Sequence, residues 1–176
     1  MHTNPNNWNR IFTFCLGLLI GTAFCMKWME GDLIQNGKLF TIIGLEISYP
    51  KEQVASILSG LDDRLKTILQ YHLHFDYIFM VAVYPGIASL CMIGKAKSGS
   101  RMFGNILTLL AIFQLVAWGC DIYENKCLLD WIKDPVIGDN FGLYHLIVAL
   151  KWILALTGAA IGIFAAVRKS SKPATA

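Results

Sequence analysis

Four long stretches of this chain are apolar and almost free of charge: 11–29 (IFTFCLGLLIGTAFCMKWM), 75–94, 102–121 and 143–167. Each is near the ~20 residues of helix that cross a bilayer. Lys27 sits close enough to the end of the first to snorkel. Arg10 ahead of that stretch imitates the start of a signal peptide. However, no A-x-A site follows, and Thr22-Ala23-Phe24-Cys25 has a bulky Phe where a lipoprotein box needs a small residue. The stretch is therefore expected to be an uncleaved anchor.

The segment between the first two spans, 30–74, is too long for a simple connection. Asn36-Gly37 between apolar residues predicts a hairpin turn. The β-branched, apolar run Phe40–Ile47 predicts a short strand or extended pair. Pro50 suits a first helical position, with Glu52 near the positive end of the helix dipole. Val54, Ile57, Leu58 and Leu61 recur at i, i+3, i+4, i+7, one apolar helical face, and Gly60 should end or bend that helix. Asp62 suits the cap of a further helix running directly into the second span. This segment reads as a small cap on the membrane surface or as a lid over a site.

Composition agrees with the pattern. Hydrophobic residues are 55% of the 176 and charged residues 15%, with a mean hydropathy of +0.51. That excludes a disordered chain, a coiled coil and a nucleic-acid-binding domain. The expected fold is an all-α membrane protein, one domain, a four-transmembrane-helix bundle with an outward-facing cap of a short hairpin plus amphipathic helix. Lys and Arg collect on the cytoplasmic side. Lys95, Lys97 and Arg101 in the short second loop, and Arg168, Lys169 and Lys172 in the tail 168–176, are unopposed by acids. Both termini are thus expected in the cytoplasm of a bacterial cell, with the two larger loops outside. The residues 170–176 read as a loose tail.

Small residues four apart let membrane helices approach closely. Gly17 and Gly21 in the first span, and Gly158 and Gly162 in the fourth, predict contact between these two helices. Lys151 shares the face of Gly158 and Gly162, so an inward face carries its ammonium into the bundle, where a charge needs a partner. Candidates lie at the same level: His72, His74, Asp76 and Tyr84 on the second span, Asp121, Glu124 and Asn125 on the third, and Tyr144 and His145 on the fourth. Gln114, Trp118, Asp121 and Asn125 fall at i, i+4, i+7 and i+11, a polar stripe. Pro85-Gly86 should kink the second span.

The order of a span, S-Y-P-K-E-Q-x-x-x-I-L in the cap, F-D-Y-I-F-x-x-x-x-Y in the second span and D-I-Y-E-N at the end of the third is distinctive. It resembles a broad group of small bacterial four-span membrane proteins with D-x-x-F…Y and D-x-x-E-N patterns. The resemblance covers roughly 30–165. It implies the same topology and singles out Asp76, Tyr84, Asp121, Glu124 and Asn125, without naming an activity.

Several functions compete for these residues. A polar centre of Asp76, Tyr84, Asp121, Glu124, Asn125 and Lys151 fits a bundle that binds a lipid or small apolar ligand. It equally fits an accessory subunit whose buried charges set helix packing and whose partner is another membrane protein. A metal-dependent intramembrane hydrolase would use His72, His74, Asp76 and His145 as ligands, but no H-E-x-x-H or comparable spacing occurs. The five cysteines contain no C-x-x-C, against a thiol oxidoreductase; Cys15 and Cys91 should be buried. A channel lacks polar groups through the inner halves of the spans. No cofactor is implied, and the expected surroundings are membrane lipids.

Overall fold

Each helix begins and ends where local chemistry dictates. The computed structural model of the chain describes residues 5–168; the tail at 170–176, with Lys169 and Lys172, lies outside them. The elements are α1 (Pro5–Glu30), β1 (Ile34–Gln35), β2 (Lys38–Leu39), a π-helical turn (Gly44–Ser48), α2 (Lys51–Ser59), α3 (Asp63–Lys97), α4 (Arg101–Lys133) and α5 (Phe141–Val167). Asp62 caps α3 by accepting the Leu65 N–H at 2.7 Å, and Ser100 caps α4 by accepting that of Phe103 at 3.3 Å. These satisfy donors that a helix start leaves free.

α1, α3, α4 and α5 are long and apolar enough to cross a membrane, and together they form an all-helical bundle of membrane type. α3 is its centre: α1, α4 and α5 all pack on it, and α4 also packs on α5. Outward faces carry large apolar side chains such as Phe14, Phe24, Leu115 and Ile153, which suit lipid rather than water.

The expected contact between the two glycine pairs does not occur. A Cβ at Gly17 or Gly21 would meet nothing within 4 Å. α1 approaches α3 instead, where a Cβ at Gly86 would come within 3.3 Å of Cys15 Cβ. Gly158 and Gly162 face Ile87, Leu90 and Cys91 of α3 and Gln114 of α4. Small residues permit close approach but do not name the partner. α3 continues through Pro85, which brings no N–H to the helical ladder.

At one end the bundle continues beyond its apolar spans into the cap. The 34–39 hairpin pairs Ile34 with Leu39, and Asn36 (φ 51°) and Gly37 (φ 73°) supply the two positive φ values of its turn. The Gln35 amide donates to the Ile57 carbonyl at 2.8 Å, tying hairpin to α2. Pro50 stands one position before α2 rather than in it, and Gly60 ends it as expected. α3 does begin at the Asp62 cap and run unbroken into its span.

One expectation fails here. The run 40–47 is not a strand: residues 42–48 are helical, ending in the π-helical turn. Ile42, Leu45 and Glu46 are buried at i, i+3, i+4 while Ile43 and Ile47 are exposed, a helical rather than an alternating division. Beyond the apolar stretch that ends near Asp121, the third helix does not stop. α4 continues to Lys133 because Leu128, Trp131 and Ile132 keep a helical face that packs with Leu58, Leu69 and Phe141 in the cap core. The cap is thus packed onto the bundle end and shares its core.

Close packing at the opposite end is testable. A Cβ at Gly94 would collide with the Ala165 methyl group. Gly94→Ala should therefore lower thermal stability in detergent by about 1–3 kcal/mol, and adding Ala165→Gly should recover part of the loss. Gly21→Ala, facing open space, should not lower the melting temperature.

Candidate functional site

The α5 face that carries Gly158 and Gly162 also buries Lys151, ten residues from the start of the helix and so about 15 Å along it. Only 5% of the residue is exposed. An unpaired ammonium there would cost several kcal/mol. Three carboxyls surround it: Glu124 at 2.6 Å, Asp121 at 3.0 Å and Glu46 at 3.4 Å. Asp121 and Glu124 lie at i, i+3 on α4, so one helix face supplies both.

The network spreads from there. Tyr84 of α3 donates its hydroxyl to the second Asp121 oxygen at 2.6 Å, and its ring stacks on Trp118 at 6.3 Å. Asn125, one turn beyond Asp121, donates to Asp76 Oδ2 at 2.8 Å and to the Leu73 carbonyl at 3.3 Å. Asp76, Tyr84, Asp121, Glu124, Asn125 and Lys151 therefore stand around one centre, held by α3, α4 and α5. Gln114, two turns along α4 from Asp121, is buried and donates to the Leu154 carbonyl at 3.2 Å.

Glu46 is the member that sequence reasoning missed. The π-helical turn carries it from the cap into the bundle end, 105 positions before its lysine. Burial pushes its carboxyl above the usual range, opposed by the Lys151 ammonium. The signal was present: Glu46 is the single charged residue in the apolar run 39–50.

Beside this network lies a cavity of about 460 Å³ between α1, α3, α5 and the cap. Glu46, His72, Asp76, Tyr84, Asp121 and Lys151 form its polar wall; Met26, Ile42, Phe79, Val83 and Leu156 are among its apolar lining. Lys27 and Glu30 of α1 stand at its edge, paired at 2.7 Å.

The histidines that the alternative of a metal-dependent hydrolase would use are not brought together. His72 is buried on the cavity wall, but His74 is exposed and its Nδ1 lies 2.6 Å from the Gln70 carbonyl. Two residues apart on a helix, their side chains diverge. His145 instead lies against the Phe141 ring, centroids 4.4 Å apart and planes tilted by 46°. Among the described residues no three His, Cys, Asp or Glu side chains are placed to hold a metal ion. Cys15 and Cys91 are buried, and all five cysteines are free thiols.

No family model, no curated protein and no solved structure matches this chain. Its chemistry is read from its own residues.

The network makes a graded prediction. Lys151→Met should destabilise the protein by about 3–5 kcal/mol, because it strands buried carboxyls. Adding Asp121→Asn should restore only part of that, since Glu124 and Glu46 still face the vacated position. Tyr84→Phe should cost about 1–3 kcal/mol by leaving an Asp121 oxygen without its donor. Chemical unfolding of the purified variants measures all three; full rescue by Asp121→Asn would show that Lys151 has one partner, not three.

Proposed function

We propose that this polytopic membrane protein binds a lipid or small amphiphilic molecule in the cavity beside the Lys151 network. The observation that carries the reading is the cavity itself. Its ~460 Å³ falls within the range of small-molecule sites, and its few convergent polar groups on an otherwise apolar surface follow their usual composition. Charges kept only to set helix register would need no open space beside them. The polar network orients the head of the ligand, and the faces of α1, α3 and α5 take its apolar part.

The competing role, an accessory subunit of a membrane complex, draws support from the completeness of the Lys151 pairing, which leaves that ammonium little capacity for a ligand. A metal-dependent hydrolase has no ligand set among the described residues to support it. We read the capped end as facing out of a bacterial cytoplasmic membrane. Lys95, Lys97 and Arg101 at the other end, against the mixed charges of the cap, support that orientation.

Two measurements test these readings. Lipid extracts of the purified protein, analysed by mass spectrometry, should contain a bound amphiphile at near-stoichiometric level. Ala155→Trp, which fills the cavity, should lose it while keeping the melting temperature; equal recovery from both proteins would overturn the site. For orientation, a cysteine-free background carrying Lys38→Cys should react with a membrane-impermeant thiol reagent on intact cells, and one carrying Ser98→Cys should not. The reverse labelling would invert the topology.

A further inference from the structure

The cavity wall selects among amphiphiles, and this selection rests on the reading of the cavity as a binding site. The wall is rich in hydrogen-bond acceptors. Asp76 is held by Asn125 through one oxygen and has no salt-bridge partner among the described residues. Glu46 is the farthest of the three carboxyls from Lys151. His72, 2% exposed, lines the same cavity with neither ring nitrogen hydrogen-bonded. A buried imidazole left with both nitrogens idle is rare and marks a missing partner. Of the donors nearby, the Tyr84 hydroxyl is committed to Asp121 and the Lys151 ammonium to its carboxyls; the Trp152 indole N–H on the same wall has no hydrogen-bond partner among the described residues.

Charge points the same way. Three carboxyls, Glu46, Asp121 and Glu124, surround the single Lys151 ammonium, and Asp76 adds a fourth to the same network, a surplus that an apolar setting makes costly. A primary ammonium offers three donors and no acceptor, the complement of the carboxyl side of this wall, Asp76 and Glu46.

A second feature defines the rest of the ligand. Val83, Ile87 and Ala159 line both this cavity and a groove of about 590 Å³ that continues toward the opposite end. The groove exists because α1 packs on α3 and makes no comparable contact with α5. From Asp76 to Leu90, which lines the groove, is about 21 Å along α3.

We infer that the ligand is a long single-chain amine, its ammonium placed among Asp76, Glu46 and His72 and its alkyl chain laid along the groove between α1, α3 and α5. The purified protein in a neutral maltoside detergent is titrated with hexadecylamine, hexadecanol and hexadecyl phosphate, with melting temperature as readout. The amine should stabilise saturably, with an apparent affinity about tenfold above the alcohol, the margin of one charge-assisted hydrogen bond. The phosphate should not stabilise.

Asp76→Asn with Glu46→Gln should remove the margin between amine and alcohol; if that pair fails to fold, Asp76→Asn alone should reduce it. Octylamine, too short to fill the groove, should bind several-fold more weakly than hexadecylamine. Alcohol or phosphate binding as tightly as the amine overturns the charge assignment and leaves the binding site standing. Octylamine binding as tightly as hexadecylamine overturns the placement of the chain. Stabilisation by none of these probes overturns the inference, and the lipid extracts then decide the binding site separately.

Discussion

A lysine ammonium buried nearly three turns inside a membrane helix holds this structure to one arrangement. Lys151 cannot be left alone at that depth, so α5 must turn the lysine toward α4, where Asp121 and Glu124 wait on one face. The same Asp121 takes the Tyr84 hydroxyl, which brings in α3, and Glu46 brings in the cap. Apolar packing between membrane helices is weakly directional because lipid is as apolar as their side chains. The ion cluster has direction. It sets the rotation of three helices about their axes and the docking of the cap, at a desolvation cost that its several partners together offset.

The cap and the cluster depend on each other. Its apolar core, with Leu45, Val54, Leu58 and Leu69 packed against the extended ends of α3 and α4, resembles the interior of a small soluble domain. Glu46 lies next to Leu45 on the same buried face of a wide helical turn. The Gly44 backbone allows the Tyr49 ring to close over that turn; a side chain there would collide with the ring. Displacing the cap would thus expose apolar surface and remove one carboxyl from Lys151 together. The cavity lies under this junction, with Ile42, Ile43 and Glu46 of the cap in its wall.

α1 stands apart from this arrangement. It carries no member of the ion cluster, has largely exposed faces and rests on α3. Its separation from α5 leaves the long groove that joins the cavity. With no polar tether to another helix among its described residues, it is placed by shape, which explains why its glycines did not predict its neighbour.

The number of spans, their approximate limits, the hairpin turn at Asn36-Gly37 and the cap of α3 at Asp62 were legible in the sequence. Each depends on neighbours within a few residues or on the length of one apolar run. The polar residues of α3, α4 and α5 were legible as a group, because ionisable side chains in apolar helices stand out. Only tertiary structure decided that α1 lies on α3 rather than on α5, that α4 extends to Lys133, and that the three histidines do not meet. It alone decided that Glu46, in a run that reads as β-prone, turns into the bundle to reach a lysine 105 positions away. Local pattern assigns an element and its buried face; which face meets which is set by packing and charge pairing between segments distant in the chain.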